Sequence, residues 1–284
     1  MRLVTFREGN ADRIGARSGD QIIDLSTADS SIPSDMRSFL EAGEPALSAA
    51  SKAVALGGSS FSANDVKILA PISNPEKVVC IGLNYADHAA ESGMDIPPEP
   101  VVFSKYASAI IGPGDTIKLP PSSNEPDYEV ELVVVIGKSG FNISQTDAMN
   151  HVAGYTVGHD VSARDYQLQK PAGQWMMGKT FDTFAPIGPD LVTADEVGDP
   201  NDLGIRCILN DETVQDSNTA QLIFKIPELI AYLSHVFTLN PGDLIFTGTP
   251  PGVGMARDPQ LWLKAGDKVV CEVDGIGRLE NPVG

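Results

Sequence analysis

The chain has 284 residues, enough for one large domain with a small appendage or for two modest domains. Hydrophobic residues make up 42% and charged residues 20%, which is typical of a globular protein and excludes wholesale disorder. With 20 basic and 38 acidic residues the net charge is -18, and such a field disfavours nucleic acid and anionic membranes as partners. Any anionic substrate must therefore be attracted by local cations or by a bound metal ion.

Residues 1–70 are predicted to form a small N-terminal α/β domain. Gly-Asn and Ser-Gly-Asp turns separate three short β-prone runs, which indicates a three-stranded meander. The runs are residues 4–6, 13–16 and 21–24. Ser34 is the expected N-cap of a short helix that ends at Leu40, and a second helix is expected over residues 45–56.

Residues 71–284 are predicted to form a larger domain in which short strands alternate with turns. The expected strands are residues 78–81, 101–104, 129–136, 205–209, 244–247 and 268–273, with a hairpin turn at Asp274-Gly275 into 276–279. The expected helices are residues 85–91, 145–149 and 228–236. The pattern predicts an α+β, β-rich protein whose sheet forms a roll or is barrel-like.

Two glutamates open the most apolar predicted strand. Because alternate side chains of a strand share a face, Glu129 and Glu131 point the same way, and Val133 and Val135 continue that face. Their Cα atoms lie about 7 Å apart in a strand, close enough for both carboxylates to hold one divalent ion. The alternative is a solvated strand end, since a chain this acidic contains several acid-x-acid triplets by chance.

Asp160 is the candidate third ligand. Three carboxylates without a cysteine form a hard-oxygen site, which favours Mg²⁺ or Mn²⁺ over zinc. His159 could ligate instead, but strand alternation would place it on the opposite face, so we interpret it as a core or supporting histidine. Arg164 and Gln167 are expected on a following helical turn, either as a carboxylate clamp and an amide donor or as ordinary surface residues.

His88 and Glu91 lie three residues apart on a predicted helix and so share a face. An imidazole paired with a carboxylate can hold a water molecule and remove its proton. A helix-surface pair in an acidic protein is the alternative.

Residues 173–180 match the phosphate-binding pattern GxxxxGK[ST], but their context argues against nucleotide binding. The loop contains bulky Trp and Met residues, and the prolines that follow cannot sustain the helix such a site requires. Lys179 remains as a lone cation near the acidic residues. Farther along, Thr249 lies in a stiff Pro/Gly loop that could fix its hydroxyl and neighbouring amides for an anion, or could be a structural turn.

Together these segments resemble the fumarylacetoacetate hydrolase family, in its acylpyruvase-like branch, over residues 71–284. The matching stretches are Gly82-Leu83-Asn84-Tyr85 with His88 and Glu91, the Glu129-x-Glu131 pair, the segments 160–167 and 178–182, and Pro241-Gly242-Asp243 leading into Gly248-Thr249-Pro250. The resemblance implies a mixed β-sandwich roll, a homodimer, and Mg²⁺ or Mn²⁺ bound by Glu129, Glu131 and Asp160. It further implies a His88–Glu91 water-activating dyad on a lid, a catalytic Lys179, and substrate binding by Tyr85, Arg164, Gln167 and Thr249.

The expected function is metal-dependent hydrolysis of a C–C bond in acylpyruvate-type substrates, which are small anionic 2-keto acids. The same site would support an oxaloacetate decarboxylase or a keto–enol tautomerase, because all three reactions pass through the enolate of a 2-keto acid. A non-catalytic protein that binds a metal ion or a keto acid is the alternative from another class.

Three widely spaced cysteines without a CxxC pair fit a reducing compartment. The N-terminal residues have no apolar segment of the signal-peptide type, and no apolar run approaches the roughly 20 residues of a membrane helix. We therefore expect a cytoplasmic protein.

Overall fold

The computed structural model describes residues 1–92 and 95–284, and its largest feature is a twelve-stranded mixed β-sheet. The strands are β1 (Arg2–Glu8), β2 (Ala11–Ser18), β3 (Gln21–Asp24), β4 (Ser60–Ser62), β5 (Lys67–Ile68), β6 (Val78–Gly82), β7 (Val101–Lys105), β8 (Ile110–Ile111), β9 (Pro126–Asp127), β10 (Val130–Ile136), β11 (Val152–His159), β12 (Ser162–Ala163), β13 (Ala185–Thr193), β14 (Gly204–Leu209), β15 (Glu212–Asn218), β16 (Leu244–Phe246), β17 (Lys268–Val273) and β18 (Gly277–Pro282). The α-helices are α1 (Leu25–Ala28), α2 (Met36–Ala42), α3 (Glu44–Leu56), α4 (Ala86–Ser92), α5 (Arg164–Gln169), α6 (Trp175–Lys179), α7 (Ala194–Val197) and α8 (Ile226–Ser234).

The large sheet joins the N-terminal meander to the rest of the chain. Its strand order is β4-β3-β2-β1-β13-β11-β10-β16-β6-β7, with β5 beside β1 and β8 beside β13. The predicted meander is confirmed as β1 to β3, and β1 pairs antiparallel with β13 through Arg2↔Val192 and Leu3↔Leu191. The N-terminal segment therefore extends the sheet that carries the candidate site, and the domain division at residue 70 stays a prediction.

Strand β10 lies inside this sheet and is buried along its whole length. Leu132 and Val134 belong to the main core, which contains side chains of the four-stranded antiparallel sheet β15-β14-β17-β18. Val133 and Val135 belong to a second core, which contains Phe39 of α2 and other N-terminal residues. Since side chains alternate along a strand, the two glutamates at the start of β10 fall on this second face.

The six strands predicted between residues 78 and 273 are all present, each within one residue of its expected ends. The sheet-rich α+β class is confirmed, and the helix α8 packs its apolar residues into the main core. Among the described helices, none is both long enough and apolar enough to cross a membrane.

The expected N-cap of the helix α2 is wrong by one residue. Asp35, rather than Ser34, precedes the helix and its side chain accepts a hydrogen bond from Ser38 N at 2.9 Å. Serine and aspartate are comparable caps, so their adjacency in the sequence leaves the choice to the backbone geometry.

The helix expected over residues 145–149 is also wrong. The Ser144 hydroxyl accepts from Asp147 N at 3.2 Å, and Asn150 donates to the Asp147 carboxylate at 2.7 Å. Such local side-chain bonds compete with helical hydrogen bonds, and a short 3-10 turn, Ala148–His151, forms instead.

We expect Leu132→Ala to lower the free energy of unfolding by about 2–5 kcal/mol, because it opens a cavity beneath the strand that carries the glutamates. Leu56→Ala is the matched control, since Leu56 ends α3 with 86% of its surface exposed, and should change stability by less than about 0.5 kcal/mol. Urea unfolding followed by circular dichroism measures both. Equal losses in the two variants would contradict the assignment of β10 to the core.

Candidate active site

Three carboxylates converge where β10 begins. Glu129, Glu131 and Asp160 each offer an oxygen atom, and these atoms lie within 4.8 Å of one another. All three side chains are buried. The antiparallel pairing of β10 with β11 places Val130 opposite His159, and this register brings the residue after β11 beside the glutamates. The structure therefore brings the three predicted ligands together, while His159 lies outside the cluster.

Two cations neutralise Glu129. Lys179 Nζ donates to Glu129 Oε2 at 2.7 Å and to Asp160 Oδ2 at 2.8 Å, and Arg164 donates to Glu129 Oε1 at 2.6 Å. Burial by itself raises the pKa of Glu129, but the charges of Lys179 and Arg164 outweigh it and lower that pKa to about 2. Glu129 is therefore ionised at neutral pH.

Lys179 stays protonated in this environment. Burial lowers its pKa, but the neighbouring carboxylates of Asp160 and Glu129 exceed that effect, so the pKa of Lys179 is raised. An ammonium group has three N–H donors, and the two carboxylates take two of them. The third is left for an oxygen atom in the cavity that Lys179 lines. The lysine of the GxxxxGK[ST] pattern thus ends the five-residue helix α6 and contacts carboxylates.

Glu131 has no cation partner among the described residues. Its Oε2 accepts from Gly248 N at 2.7 Å, and burial together with the charges of Asp160 and Glu129 raises its pKa. Asp160 Oδ1 is buried and forms an ion pair with Lys105 Nζ at 2.6 Å. A carboxylate without a cation partner, in a cluster of oxygen donors only, fits a hard divalent cation.

Helix α4 carries the His88–Glu91 pair to the same cavity. His88 Nδ1 lies 3.2 Å from Glu91 Oε2, and Gly252 N donates to the two carboxylate oxygens of Glu91 at 3.1 and 3.2 Å. With its Nδ1 hydrogen directed to Glu91, the imidazole keeps a lone pair on Nε2, which is the state of a general base. The structure brings the two predicted residues together, and the catalytic role of the pair is a proposal.

Arg164 and Gln167 lie on α5, as the predicted helical turn requires, and both line the cavity. The Arg164 guanidinium donates to Gln167 Oε1 and to Asp127, each at 2.8 Å. The bond from Arg164 fixes the orientation of the Gln167 amide and occupies its oxygen atom. Its nitrogen makes no hydrogen bond within the described part of the chain, so two N–H donors are left for a substrate carboxylate.

The remaining two predicted substrate contacts differ in their placement. Thr249 lines the cavity, but its hydroxyl donates to Val130 O at 2.9 Å and accepts from Gln215 at 2.8 Å. Tyr85 does not line the cavity, because its side chain is fully buried in the main core. Its backbone forms an isolated antiparallel β-bridge with Leu222. Direct substrate binding by either residue stays a prediction.

Sequence reasoning missed Lys105, which forms an ion pair with Asp160 of the carboxylate cluster but does not line the cavity. Its ammonium group donates to the carbonyl oxygens of Val161, Lys179 and Phe184 and forms the ion pair with Asp160. It is 3% exposed, so this charge is committed to protein groups. A lysine at the end of an edge strand is ordinary in sequence, and nothing in the pattern signals its burial.

Asp127 was also missed, although it precedes Glu129 and Glu131 in the same alternation. Its carboxylate accepts from Arg164 at 2.8 Å, from Gly254 N at 2.7 Å and from Met255 N at 3.1 Å. It thereby joins α5 to the Pro/Gly loop on the other side of the cavity. The third acid of the acid-x-acid-x-acid run was the signal that could have found it.

The cavity has a volume of about 370 Å³, and six of its lining residues are large and apolar. We call these six residues the apolar wall: Ile81, Leu83, Phe103, Leu168, Trp175 and Met255. The polar lining consists of the three carboxylates, Arg164, Lys179, Gln167, Thr249 and the His88–Glu91 pair.

We expect Lys105→Met to lower the free energy of unfolding by about 3–5 kcal/mol, because it removes one of the two cations paired with buried Asp160 and a donor to three carbonyl groups. The control is Lys67→Met, since Lys67 forms an exposed ion pair with Asp115 at 2.6 Å and should contribute about 0–1 kcal/mol. Urea unfolding of both variants measures the difference. Similar losses would show that the Lys105 contacts do not support the fold.

The chain matches one family model and many named relatives. The model described as fumarylacetoacetate (FAA) hydrolase C-terminal matches residues 77–284. Oxaloacetate tautomerase fahd2, mitochondrial, of Xenopus laevis is 53% identical to this chain and aligns with 100% of it and 90% of the relative. Human oxaloacetate tautomerase FAHD2A, mitochondrial, is 50% identical over 100% of this chain and 91% of the relative.

A solved structure is also similar to this chain over its whole length, at lower sequence identity. Maleylpyruvate hydrolase from Sphingobium sp. SYK-6, in complex with manganese(II) ion and pyruvate, superposes with a TM-score of 0.82. The two sequences are 31% identical, and the match covers 100% of this chain and 98% of the other.

These comparisons correct one expectation and confirm another. The cytoplasmic location expected from the sequence is wrong on this evidence, because both relatives are named as mitochondrial proteins. The homodimer stays a prediction.

The family model matches most of the chain, and relatives are about 50% identical to it in sequence over its whole length. This protein is therefore a member of the fumarylacetoacetate hydrolase family and an enzyme.

Proposed function

We propose that the protein is a divalent-metal-dependent keto–enol tautomerase of 2-oxo acids, with oxaloacetate among its substrates. The observation that carries this proposal is the convergence, in one cavity, of a carboxylate cluster, a protonated lysine and a histidine whose Nδ1 is held by a carboxylate. Relatives at 53% and 50% identity are named oxaloacetate tautomerases, which favours tautomerisation over the other reactions that such a site supports.

The charges of the cavity match a proton transfer next to a carbonyl group. Mg²⁺ or Mn²⁺ held by Glu129, Glu131 and Asp160 would supply positive charge for the carboxylate and 2-oxo oxygens of the substrate. The free N–H donors of Gln167 orient the substrate carboxylate. His88 Nε2 accepts a proton from C3, and Glu91 stabilises the imidazolium that forms. The third N–H of Lys179 donates to the 2-oxo oxygen as negative charge develops there.

Hydrolysis of an acylpyruvate is the second candidate. The same histidine could deprotonate a water molecule for attack on a distal carbonyl group, and a structural relative at 31% identity is a maleylpyruvate hydrolase. The two candidates differ in their product, because only hydrolysis releases pyruvate.

We expect the protein to accelerate the conversion of enol to keto oxaloacetate, followed by ultraviolet absorbance, without release of pyruvate in a coupled assay. His88→Gln should lower kcat by about 10²–10⁴-fold, the contribution typical of a positioned general base. His235→Gln is the matched control, because His235 is exposed after α8, and should leave kcat unchanged. Pyruvate release from acetylpyruvate at a higher kcat/KM would instead favour the hydrolase.

We also expect one Mn²⁺ ion to bind per chain in isothermal titration calorimetry, with EDTA abolishing both binding and turnover. Glu131→Gln should weaken binding by at least about tenfold, because it removes the carboxylate that lacks a cation partner. Glu212→Gln removes an exposed carboxylate of β15 and is the control. Equal Mn²⁺ affinity in both variants would contradict the ligand set.

A further inference from the structure

Hydrogen bonds hold the helix α4 near both of its ends. Near its start, the Asp87 carboxylate accepts from His88 N at 3.0 Å and from the Ser217 hydroxyl at 2.5 Å. Near its far end, the Glu91 carboxylate accepts from Gly252 N at 3.1 and 3.2 Å. Because His88 lies between these two points and lines the cavity, both points determine where its imidazole lies.

Both points of attachment lead back to one strand, β15. Ser217 belongs to this strand, and Gln215, two residues earlier, lies on the same face. The Gln215 amide donates to Thr249 Oγ1 and to Pro250 O, each at 2.8 Å, and so holds the loop that carries Gly252. The strand therefore contacts the helix and also the loop that binds the far end of the helix.

The loop packs so closely on β15 that it requires glycine at position 252. Gly252 has φ of +102°, and a Cβ atom there would overlap the carbonyl oxygen of Val214. The Arg257 guanidinium donates to that carbonyl oxygen at 2.7 Å and to Gly252 O at 3.2 Å. The Tyr128 hydroxyl also donates to Gly252 O, at 3.1 Å. The amide that holds Glu91 is therefore fixed to the strand.

We propose that Asp87 is a positioning residue for the general base, and that β15 is the common support of the His88–Glu91 pair. This inference rests on the proposed function, in which His88 removes the proton. Asp87 lies outside the cavity lining in the described part of the chain, so it acts through the place it gives His88. A displacement of a reacting group by about 1 Å can lower a rate by about 10²-fold, which makes kcat sensitive to this support.

The contribution of Asp87 is geometric, and this distinguishes it from Glu91. An asparagine amide has the same shape as the carboxylate and would keep both contacts. Its oxygen would accept from the His88 amide, and its nitrogen would donate to the Ser217 hydroxyl. A carboxylate that acted through its charge on the imidazolium could not be replaced in this way.

The test measures the conversion of enol to keto oxaloacetate by the Mn²⁺-loaded protein. Asp87→Ala and Ser217→Ala should each lower kcat by about tenfold with little change in KM. Mn²⁺ affinity in calorimetry should not change, because the three carboxylates of the cluster lie outside α4 and β15. Asp87→Asn should stay within about threefold of the wild-type kcat. Asp216→Ala is the matched control, because it removes an exposed carboxylate from the same strand, and should leave kcat unchanged.

The double variant of Asp87→Ala and His88→Gln separates positioning from a general loss of structure. If Asp87 acts through His88, nothing is left to position, and kcat should lie within about twofold of His88→Gln alone. A misfolded variant would instead lose Mn²⁺ affinity as well. Should Asp87→Ala do so, Ser217→Ala, which removes one hydroxyl group, decides the test in its place.

Three results would overturn this inference and leave the proposed function standing, provided that turnover depends on His88. The first is a wild-type kcat in Asp87→Ala and Ser217→Ala, and the second is an equal loss in Asp87→Asn and Asp87→Ala. The third is a further tenfold loss in the double variant with Mn²⁺ affinity intact, on the order expected for independent effects. Turnover that does not depend on His88 would overturn the proposed function and this inference together.

Discussion

The structure depends on a buried imbalance of charge. Asp127, Glu129, Glu131 and Asp160 place four carboxylates in one region, and Lys105, Arg164 and Lys179 place three cations there. Carboxylates this close repel one another strongly in a medium of low dielectric constant. The fold can bury them because β7, α5 and α6 each supply a cation, and among the described residues Glu131 is the carboxylate of the cluster left without a cation partner. One unmatched carboxylate among oxygen donors is the physical basis of the proposed metal site.

The three cations differ in how many of their N–H donors are already hydrogen-bonded to the protein. Lys105 donates to three backbone carbonyl groups and lies on the side of the cluster away from the cavity. Arg164 links Asp127 to Gln167 and so couples α5 to the Pro/Gly loop, whose Gly252 amide also holds Glu91. Lys179 alone retains a donor at the cavity. The rigid charges therefore define the geometry, and a small number of free donors is left for substrate.

The cavity combines two chemically different kinds of lining residue. Its polar residues include the carboxylates, Lys179, Gln167 and the His88–Glu91 pair. Relatives in the family are named oxaloacetate tautomerase in one case and maleylpyruvate hydrolase in another. Its apolar residues include Phe103 and Trp175, whose rings pack edge-to-face with centroids 5.6 Å apart.

The sequence by itself determined the strand that carries Glu129 and Glu131 and the His88–Glu91 pairing, because these depend on a period of two along a strand and a spacing of three along a helix. It named Asp160 as a candidate, but the register of β10 on β11 is what places this carboxylate beside the glutamates. It could not determine that Lys105 is buried, because a lysine at the end of a strand is common in sequence. It also could not determine that the Tyr85 side chain lies in the core. It could not choose Asp35 over Ser34 as a cap, or foresee that Ser144 would replace a helix with a turn. The cap and the turn were decided by local side-chain hydrogen bonds that the residue types alone do not rank. The burial of Lys105 and Tyr85 was decided by tertiary structure, because it depends on which distant segments approach the same charge, carbonyl group or ring.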